Sequence, residues 1–249
     1  DVKKFFRLLV TSATYRQSAA TTPEKREKDP QNRFLSRGPR FRMDGEMIRD
    51  YALAAGGLWV PKIGGPSVKP YQPPGVWEAV AMIGSDTRDY RQDHDESLYR
   101  RSLYTFWKRA APPASMEVFN GPSREVCTVR RERTNTPLQS LVTLNDPQFI
   151  EAARHLAQVT LKQGGATDAS RLEFLAKRLL ARPLRAEETP VVEASLKTLL
   201  AYYQGHVDQA KELVAVGESK PDAAIPPQVL AGWTMLANEL MNLDEVLNK

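Results

Sequence analysis

The sequence predicts a mainly α-helical protein, a helical bundle that carries a proline- and glycine-rich aromatic loop. Apolar residues recur at helical spacing at the start of the chain and through its C-terminal half. Cap and proline signals open several of these segments, as in Asp146-Pro147 and Thr189-Pro190. Prolines and glycines concentrate in Val60–Gly84, where they exclude long helices and long strands.

The N-terminal part is expected to contain two helices. The first is predicted from the start of the chain, because apolar residues at i, i+3, i+4, i+7, i+8 and i+11 share one face of a helix. These residues are Val2, Phe5, Phe6, Leu9, Val10 and Ala13. The second helix is predicted over Met43–Ala55, with Asp44 as its cap and Gly56-Gly57 at its end. The polar stretch Thr21–Pro30 between them is expected to be a loop.

Large aromatic rings occur inside the proline-rich loop. Trp59, Tyr71 and Trp77 stand among its prolines, and rings of this size are expected to be anchored on the body of the domain. The loop then either covers a core edge or forms a stiff binding surface. Further on, Leu98–Trp107 has the aromatic composition of a strand, and Val126–Val129 is its candidate partner. We expect a small β-hairpin there at most.

The C-terminal half is predicted to hold four further helices. They begin at Pro147, near Leu172, at Thr189 and at Pro226-Pro227, and the third is expected to run past Gly205 to Val214. Each has one apolar face that needs a partner, so together they should form a bundle. We assign residues 1–165 to an N-terminal part and residues 166–249 to a helical part packed on it, within one continuous domain of a longer protein.

Composition and charge narrow the function classes. The 249 residues carry a net charge of +5, with 13 Lys and Arg against 7 Asp and Glu in residues 1–62. Because the basic residues alternate with carboxylates, ion pairing is favoured over a nucleic-acid surface, which would need a continuous basic face. The single cysteine, Cys127, excludes an internal disulfide and is expected to be a small buried residue. No apolar stretch reaches the length of a membrane span.

The densest polar run in the chain, Cys127–Gln139, is the candidate ligand-binding segment. Guanidinium groups offer planar donor forks that suit carboxylates, sulfates or haem propionates, and amides could complete a sugar- or anion-binding face. The candidates for ligand contact are Arg130, Arg131, Arg133, Asn135 and Gln139. The alternative is structural, because such side chains also satisfy the backbone of a buried loop.

Other polar groups give no assignable chemistry. Asp93-His-Asp-Glu96 is expected to be an ion-paired loop, since adjacent residues rarely converge on one metal ion. His155 and His206 have no partner at metal-site spacing and are expected to be structural or exposed. No catalytic motif identifies a nucleophile with its base. The catalytic residues are therefore unknown, and no metal site is predicted.

Several long motifs occur in a characteristic order. They are Thr11–Gln17, Ile63–Val68, Pro70–Glu78, Tyr99–Arg109 and the run from Cys127 through Pro147. Together they resemble the C-terminal domain of unknown function in the large planctomycete-type cytochrome-c-associated proteins. Two residues depart from the family pattern. Ser140 replaces the usual alanine, and Arg185 stands where a Ser or Thr would complete a capping box with Glu188.

The resemblance implies context more than chemistry. It implies an export signal, an upstream cytochrome-c-like haem domain and a second uncharacterised domain, with no cofactor in this chain. We therefore expect a non-catalytic interaction or scaffold module of an extracytoplasmic protein. Its expected partners are the other domains of the same protein, and polysaccharide or an anionic ligand. The alternatives are a module of an enzyme acting on extracellular polysaccharide and, less favoured by the charge pattern, nucleic-acid binding.

Overall fold

Eleven α-helices and almost no strands make up the computed structural model, which describes residues 1–248 and is 51% helical. The predicted mainly α fold class is confirmed. The chain divides into two units, residues 1–42 with Asn248 and residues 43–247. Within residues 1–248, no helix combines the length and the apolar composition needed to cross a membrane.

The first unit contains two helices, of which one was expected. Helix α1 is Val2–Thr11, and the Asp1 side chain caps it. Helix α2 is Pro23–Lys28, so the prediction of a loop here was wrong. The cause is local, because Thr22 accepts a hydrogen bond from the Lys25 amide and proline stands at the first helical position.

The second unit holds the other nine helices described in the chain. They are α3 (Gly45–Gly56), α4 (Ala114–Val118), α5 (Pro137–Asn145), α6 (Pro147–Gln163), α7 (Asp168–Leu180), α8 (Thr189–Gly205), α9 (Val207–Val214), α10 (Pro227–Met241) and α11 (Asp244–Leu247). Three short 3-10 helices also lie in this unit, at Glu78–Val80, Asp95–Tyr99 and Ser102–Tyr104.

The core of the second unit forms around α6 and α10. Helix α10 packs against α6, α8 and α9, and α3 also packs against α6. Leu156, Leu175, Trp233 and Leu236 are almost fully buried there. The close approach of α3 and α6 depends on Gly56, where a Cβ atom would lie 2.7 Å from the Ala152 carbonyl oxygen. The expected bundle is therefore the arrangement found for these helices.

Two helix boundaries differ from the prediction. A separate helix, α5, occupies the end of the arginine-rich run, because Thr136 caps it and Pro137 begins it. Asp146 then ends α5 and also caps α6, as predicted for α6, by accepting from the Gln148 amide at 3.0 Å. The expected continuous helix from Thr189 to Val214 is interrupted at His206, whose φ of −129° and ψ of 61° lie outside the helical region and separate α8 from α9.

The expected β-hairpin does not form. Residues 98–107 contain 3-10 turns, and their backbone pairs with the proline-rich loop. The Val68 amide donates to the Tyr104 carbonyl at 2.8 Å, and the Phe106 amide donates to the Val68 carbonyl at 2.7 Å. The proposed second strand lies in solvent, with Val129 fully exposed. Cys127 is also exposed, so its prediction as a buried residue was wrong. The segment therefore pairs with the proline-rich loop and not with residues 126–129.

The proline-rich loop is anchored, as its aromatic residues predicted. Trp77 is 2% exposed and packs edge-on against Tyr90 with ring centroids 4.9 Å apart. Phe106 also packs against Trp77, with ring centroids 5.5 Å apart. Tyr71 is held through its hydroxyl group, whereas Trp59 is partly exposed. The loop therefore covers part of the core of the second unit with one buried indole ring at its centre.

Candidate functional site

The first half of the arginine-rich run is tied to the start of α3 by Arg131. Its Nη1 atom donates to Glu46 Oε2 at 2.6 Å and lies 3.9 Å from Asp44 Oδ2. The hydrogen bond with Glu46 raises the pKa of Arg131. Asp44 is the N-cap residue of α3 by position, but its side chain makes no capping hydrogen bond. Arg131 therefore joins two segments that are far apart in the sequence.

Gln139 has a structural role of the same kind. Its side chain is 1% exposed, and Nε2 donates to the Val118 carbonyl at 3.1 Å and to Thr134 Oγ1 at 3.0 Å. Asn120 Nδ2 donates to the same threonine hydroxyl at 2.8 Å. These bonds connect the end of α4 to the segment before α5. The buried Gln139 side chain thus satisfies the carbonyl group at the end of α4 and makes a structural contact.

The other three candidates lie at the surface. Arg130 and Asn135 are exposed, and the Arg133 side chain is about half exposed, with Nε 3.9 Å from Asp44 Oδ1. A shallow open depression is lined by residues 130–134. Two of the five candidates therefore position the segment, and the remaining three can reach a ligand. Their role in binding stays a prediction.

The acidic loop at residues 93–96 is ion-paired. His94 Nδ1 lies 2.6 Å from Glu218 Oε2, and the Asp95 amide donates to Glu218 Oε1 at 2.5 Å. Glu96 pairs with Lys62 Nζ at 2.5 Å. Within residues 1–248, no group of three or more His, Cys, Asp or Glu side chains is arranged to hold a metal ion. The loop is held by partners that the sequence pattern did not identify.

A buried carboxylate that sequence reasoning missed lies on α6. Glu151 is 1% exposed and accepts hydrogen bonds from the hydroxyl groups of Tyr71 and Tyr99, both at 2.9 Å. It also accepts from the Ser219 amide at 2.7 Å and from the Ser219 hydroxyl at 2.6 Å. Burial, followed by the charge of Glu151, raises the pKa of Tyr99 to about 12. The carboxylate therefore fixes three separate segments against α6.

Arg154 completes this buried cluster. It is fully buried, and its Nη2 atom lies 3.5 Å from Glu151 Oε1 and donates to the Ser219 carbonyl at 2.6 Å. Burial lowers its pKa, although the charge of Glu151 opposes that shift. A buried guanidinium needs such a partner, because an unpaired charge in the interior is strongly destabilising. We call Glu151, Arg154, Tyr71, Tyr99 and Ser219 the α6 cluster.

A second buried arginine holds the irregular segment next to α3. Arg49 is 2% exposed, and its Nε atom donates to Gln148 Oε1 at 2.7 Å. Its terminal nitrogens donate to the carbonyl groups of Leu98 at 2.6 Å and Arg100 at 2.8 Å, and to the Ser102 hydroxyl at 3.1 Å. Burial lowers the pKa of Arg49 to about 10. The adjoining cavity measures about 10 Å³, which is near the minimum for one water molecule.

Comparisons with known proteins identify the family of this chain. No curated protein and no solved structure matches it significantly. A family model described as PSD1, protein of unknown function (DUF1553), matches residues 1–196. The resemblance to a domain of unknown function is therefore confirmed at that level. Because the match covers 196 of 249 residues, the chain belongs to the PSD1 family of proteins of unknown function (DUF1553).

Proposed function

We propose that this chain is a non-catalytic interaction module, and that its arginine-rich segment binds an anionic partner. The observation that carries the proposal is that some side chains of this segment make internal contacts while others are exposed. Arg131 and Gln139 hold it in place. Arg130 is exposed, and Arg133 is half exposed although its Nε atom lies 3.9 Å from Asp44 Oδ1; both line an open depression together with Glu132. A segment that is already positioned loses less conformational entropy when it binds a ligand.

The ligand chemistry follows from the guanidinium groups. Their planar forks suit the paired oxygens of carboxylate and sulfate groups. The fitting ligand is an acidic polysaccharide, whose repeated charges can engage two neighbouring arginines at once. Asn135 is exposed beside them and can donate to sugar hydroxyls. The shallow shape of the depression also suits a chain lying across the surface better than a small enclosed substrate.

The wider context comes from the motif resemblance. The ordered motifs from Thr11 to Pro147 support an extracytoplasmic, cytochrome-c-associated protein of planctomycete type. In that protein this chain acts as a scaffold for its neighbouring domains, and any haem is carried by an upstream domain. The arginine-rich segment then attaches the assembly to acidic polysaccharide of the cell envelope.

Binding to dextran sulfate, with neutral dextran as the reference, tests the polysaccharide proposal. The paired variant Arg130→Gln/Arg133→Gln should weaken binding about five- to tenfold, because each exposed charge contact contributes up to about 1 kcal/mol. The matched control Arg88→Gln/Arg91→Gln removes two exposed arginines elsewhere in the second unit and should leave binding nearly unchanged.

Two results would contradict the proposal. Equal losses in both paired variants would mean that the polyanion binds by net charge alone. Shortened polysaccharide chains after incubation with the protein would instead indicate the hydrolytic alternative. Thermal unfolding of each variant serves as the folding control, because the substituted side chains are exposed and their removal should leave stability within about 0.5 kcal/mol.

A further inference from the structure

Helix α1 has two sharply separated faces. At about 100° of rotation per residue, its polar side chains fall within an arc of about 100°, and six apolar side chains cover the rest. The polar residues are Lys3, Lys4, Arg7 and Thr11. The apolar residues are Val2, Phe5, Phe6, Leu8, Leu9 and Val10. This pattern of basic and aromatic faces is typical of helices that lie in a membrane interface.

The apolar face of α1 is open to solvent. Every residue of the helix is exposed, and the side chains of Phe5 and Phe6 are 57% and 59% exposed. Helices α6 and α10, by contrast, bury their apolar faces in the core of the second unit. Phe34 and Leu35 add further exposed apolar surface to the first unit, at 80% and 59% exposure. Exposed apolar surface of this extent marks a site of interaction.

The charge of the chain is concentrated around this helix. Residues 1–42 hold 11 Lys and Arg against 4 Asp and Glu, a net charge of +7. Residues 43–249 hold 24 against 26, a net charge of −2. The first unit is therefore suited to a partner that is both negatively charged and able to take up apolar side chains. Nucleic acid or an acidic polysaccharide would match the charge but leave the phenylalanines in water.

We infer that the first unit binds the surface of an anionic lipid membrane through α1. Ten residues give a helix of about 15 Å, half the thickness of the hydrocarbon core. The helix therefore lies parallel to the surface, with Phe5 and Phe6 among the upper acyl carbons. Lys3, Lys4 and Arg7 extend their apolar stems along the interface and place their charges at lipid phosphates. One short helix with two such signals gives reversible attachment.

Sedimentation of the full chain with lipid vesicles tests this inference. The protein should bind vesicles of equal parts phosphatidylcholine and phosphatidylglycerol, and bind phosphatidylcholine alone far more weakly. Lys3→Gln, Lys4→Gln and Arg7→Gln should each reduce binding to the anionic vesicles about fivefold. Phe5→Gln and Phe6→Gln should reduce it roughly tenfold each, because part of the transfer free energy of a phenylalanine side chain is lost.

Matched controls lie in the second unit. Met82→Gln/Ile83→Gln replaces two apolar side chains that are 84% and 91% exposed. Lys197→Gln/Lys211→Gln removes two exposed charges from α8 and α9. Both paired variants should bind the anionic vesicles as the unmodified chain does. The Phe6→Trp variant adds a direct readout, since its extra emission should be quenched by brominated acyl chains in anionic vesicles only.

Each remaining outcome overturns the inference. Equal binding to neutral and anionic vesicles would remove the role of charge. Equal losses in the controls would indicate unspecific adsorption. Dimers in light scattering that disappear in Phe5→Gln/Phe6→Gln, without vesicle binding, would assign the apolar face to a second copy of the chain. Circular dichroism of the variants excludes unfolding as the cause of any loss.

Discussion

Replacing Glu151 by glutamine should destabilise the protein more than its small change in shape suggests. The carboxylate is 1% exposed, and one of its oxygens accepts from both the amide and the hydroxyl group of Ser219. Its other oxygen accepts from Tyr71, whose own hydroxyl oxygen already accepts from the Glu218 amide at 2.7 Å. A glutamine Nε2 in that position cannot accept the hydrogen bond that the Tyr71 hydroxyl group donates, because it is itself a donor. Arg154 would also lose its buried counter-charge.

The expected loss is about 3 to 5 kcal/mol in the free energy of unfolding, the range for a buried ion pair that loses one partner. For a chain of this length, that loss corresponds to a decrease in Tm on the order of 10 °C. The double variant Glu151→Gln/Arg154→Met should recover part of it, because no buried charge then remains unpaired. A variant with Arg154→Met alone should be nearly as unstable as Glu151→Gln.

Urea unfolding followed by circular dichroism measures these differences in a double-mutant cycle. Reversibility and a single transition are needed for each variant, since both units could unfold separately. A loss below about 1 kcal/mol for Glu151→Gln, or additive losses in the double variant, would refute the reasoning. Either result would mean that water reaches the α6 cluster and screens the pair.

Three further predictions follow from other parts of the chain. Gly217→Ala should lower stability by at least about 2 kcal/mol in urea unfolding, because the residue has φ +89° and its Cβ would lie 2.4 Å from Glu151 Cδ. Val129→Pro should change stability by less than about 0.5 kcal/mol, since the residue is solvent-exposed and belongs to no strand. A larger loss would indicate that its backbone is paired, as in the hairpin predicted from the sequence. Pairing with Glu218 raises the pKa of His94 above its ordinary value of 6.5, so this contact stabilises the fold below that pH and is lost as the pH rises through the raised pKa. An NMR titration should show the pKa of His94 falling towards 6.5 in Glu218→Gln.

The helices could be predicted because their signals are local. Apolar spacing and Asp-Pro or Thr-Pro starts identified α6 and α8. The same kind of start is present at Thr136-Pro137, but α5 was not predicted from it. The hairpin was predicted wrongly because strand composition does not determine a strand's partner. In residues 98–107, backbone groups form hydrogen bonds with Arg49 and with the proline-rich loop, and both sets of hydrogen bonds depend on the tertiary structure.

The candidate site could be predicted only in part for a similar reason. The sequence pointed to the arginine-rich run, but it could not separate Arg131, which finds Glu46 at a separation of 85 residues, from Arg130 beside it. The α6 cluster was missed altogether, since its partners lie 52 to 80 residues from Glu151. Its one local signal is the i, i+3 spacing of Glu151 and Arg154 on a helix with many small apolar residues.

Buried arginines of the second unit make hydrogen bonds to backbone groups that no regular secondary structure satisfies. Long stretches between α3 and α5 have no ladder to satisfy their backbone, yet buried polar groups must be paired. Arg49 donates hydrogen bonds to the carbonyl groups of Leu98 and Arg100. Arg100 in turn donates to those of Lys62, Gly64 and Pro66. Guanidinium groups suit this task because each offers several donors in a rigid plane. The irregular loops are thereby attached to the helical core at fixed points, and their shape depends on a few buried guanidinium groups.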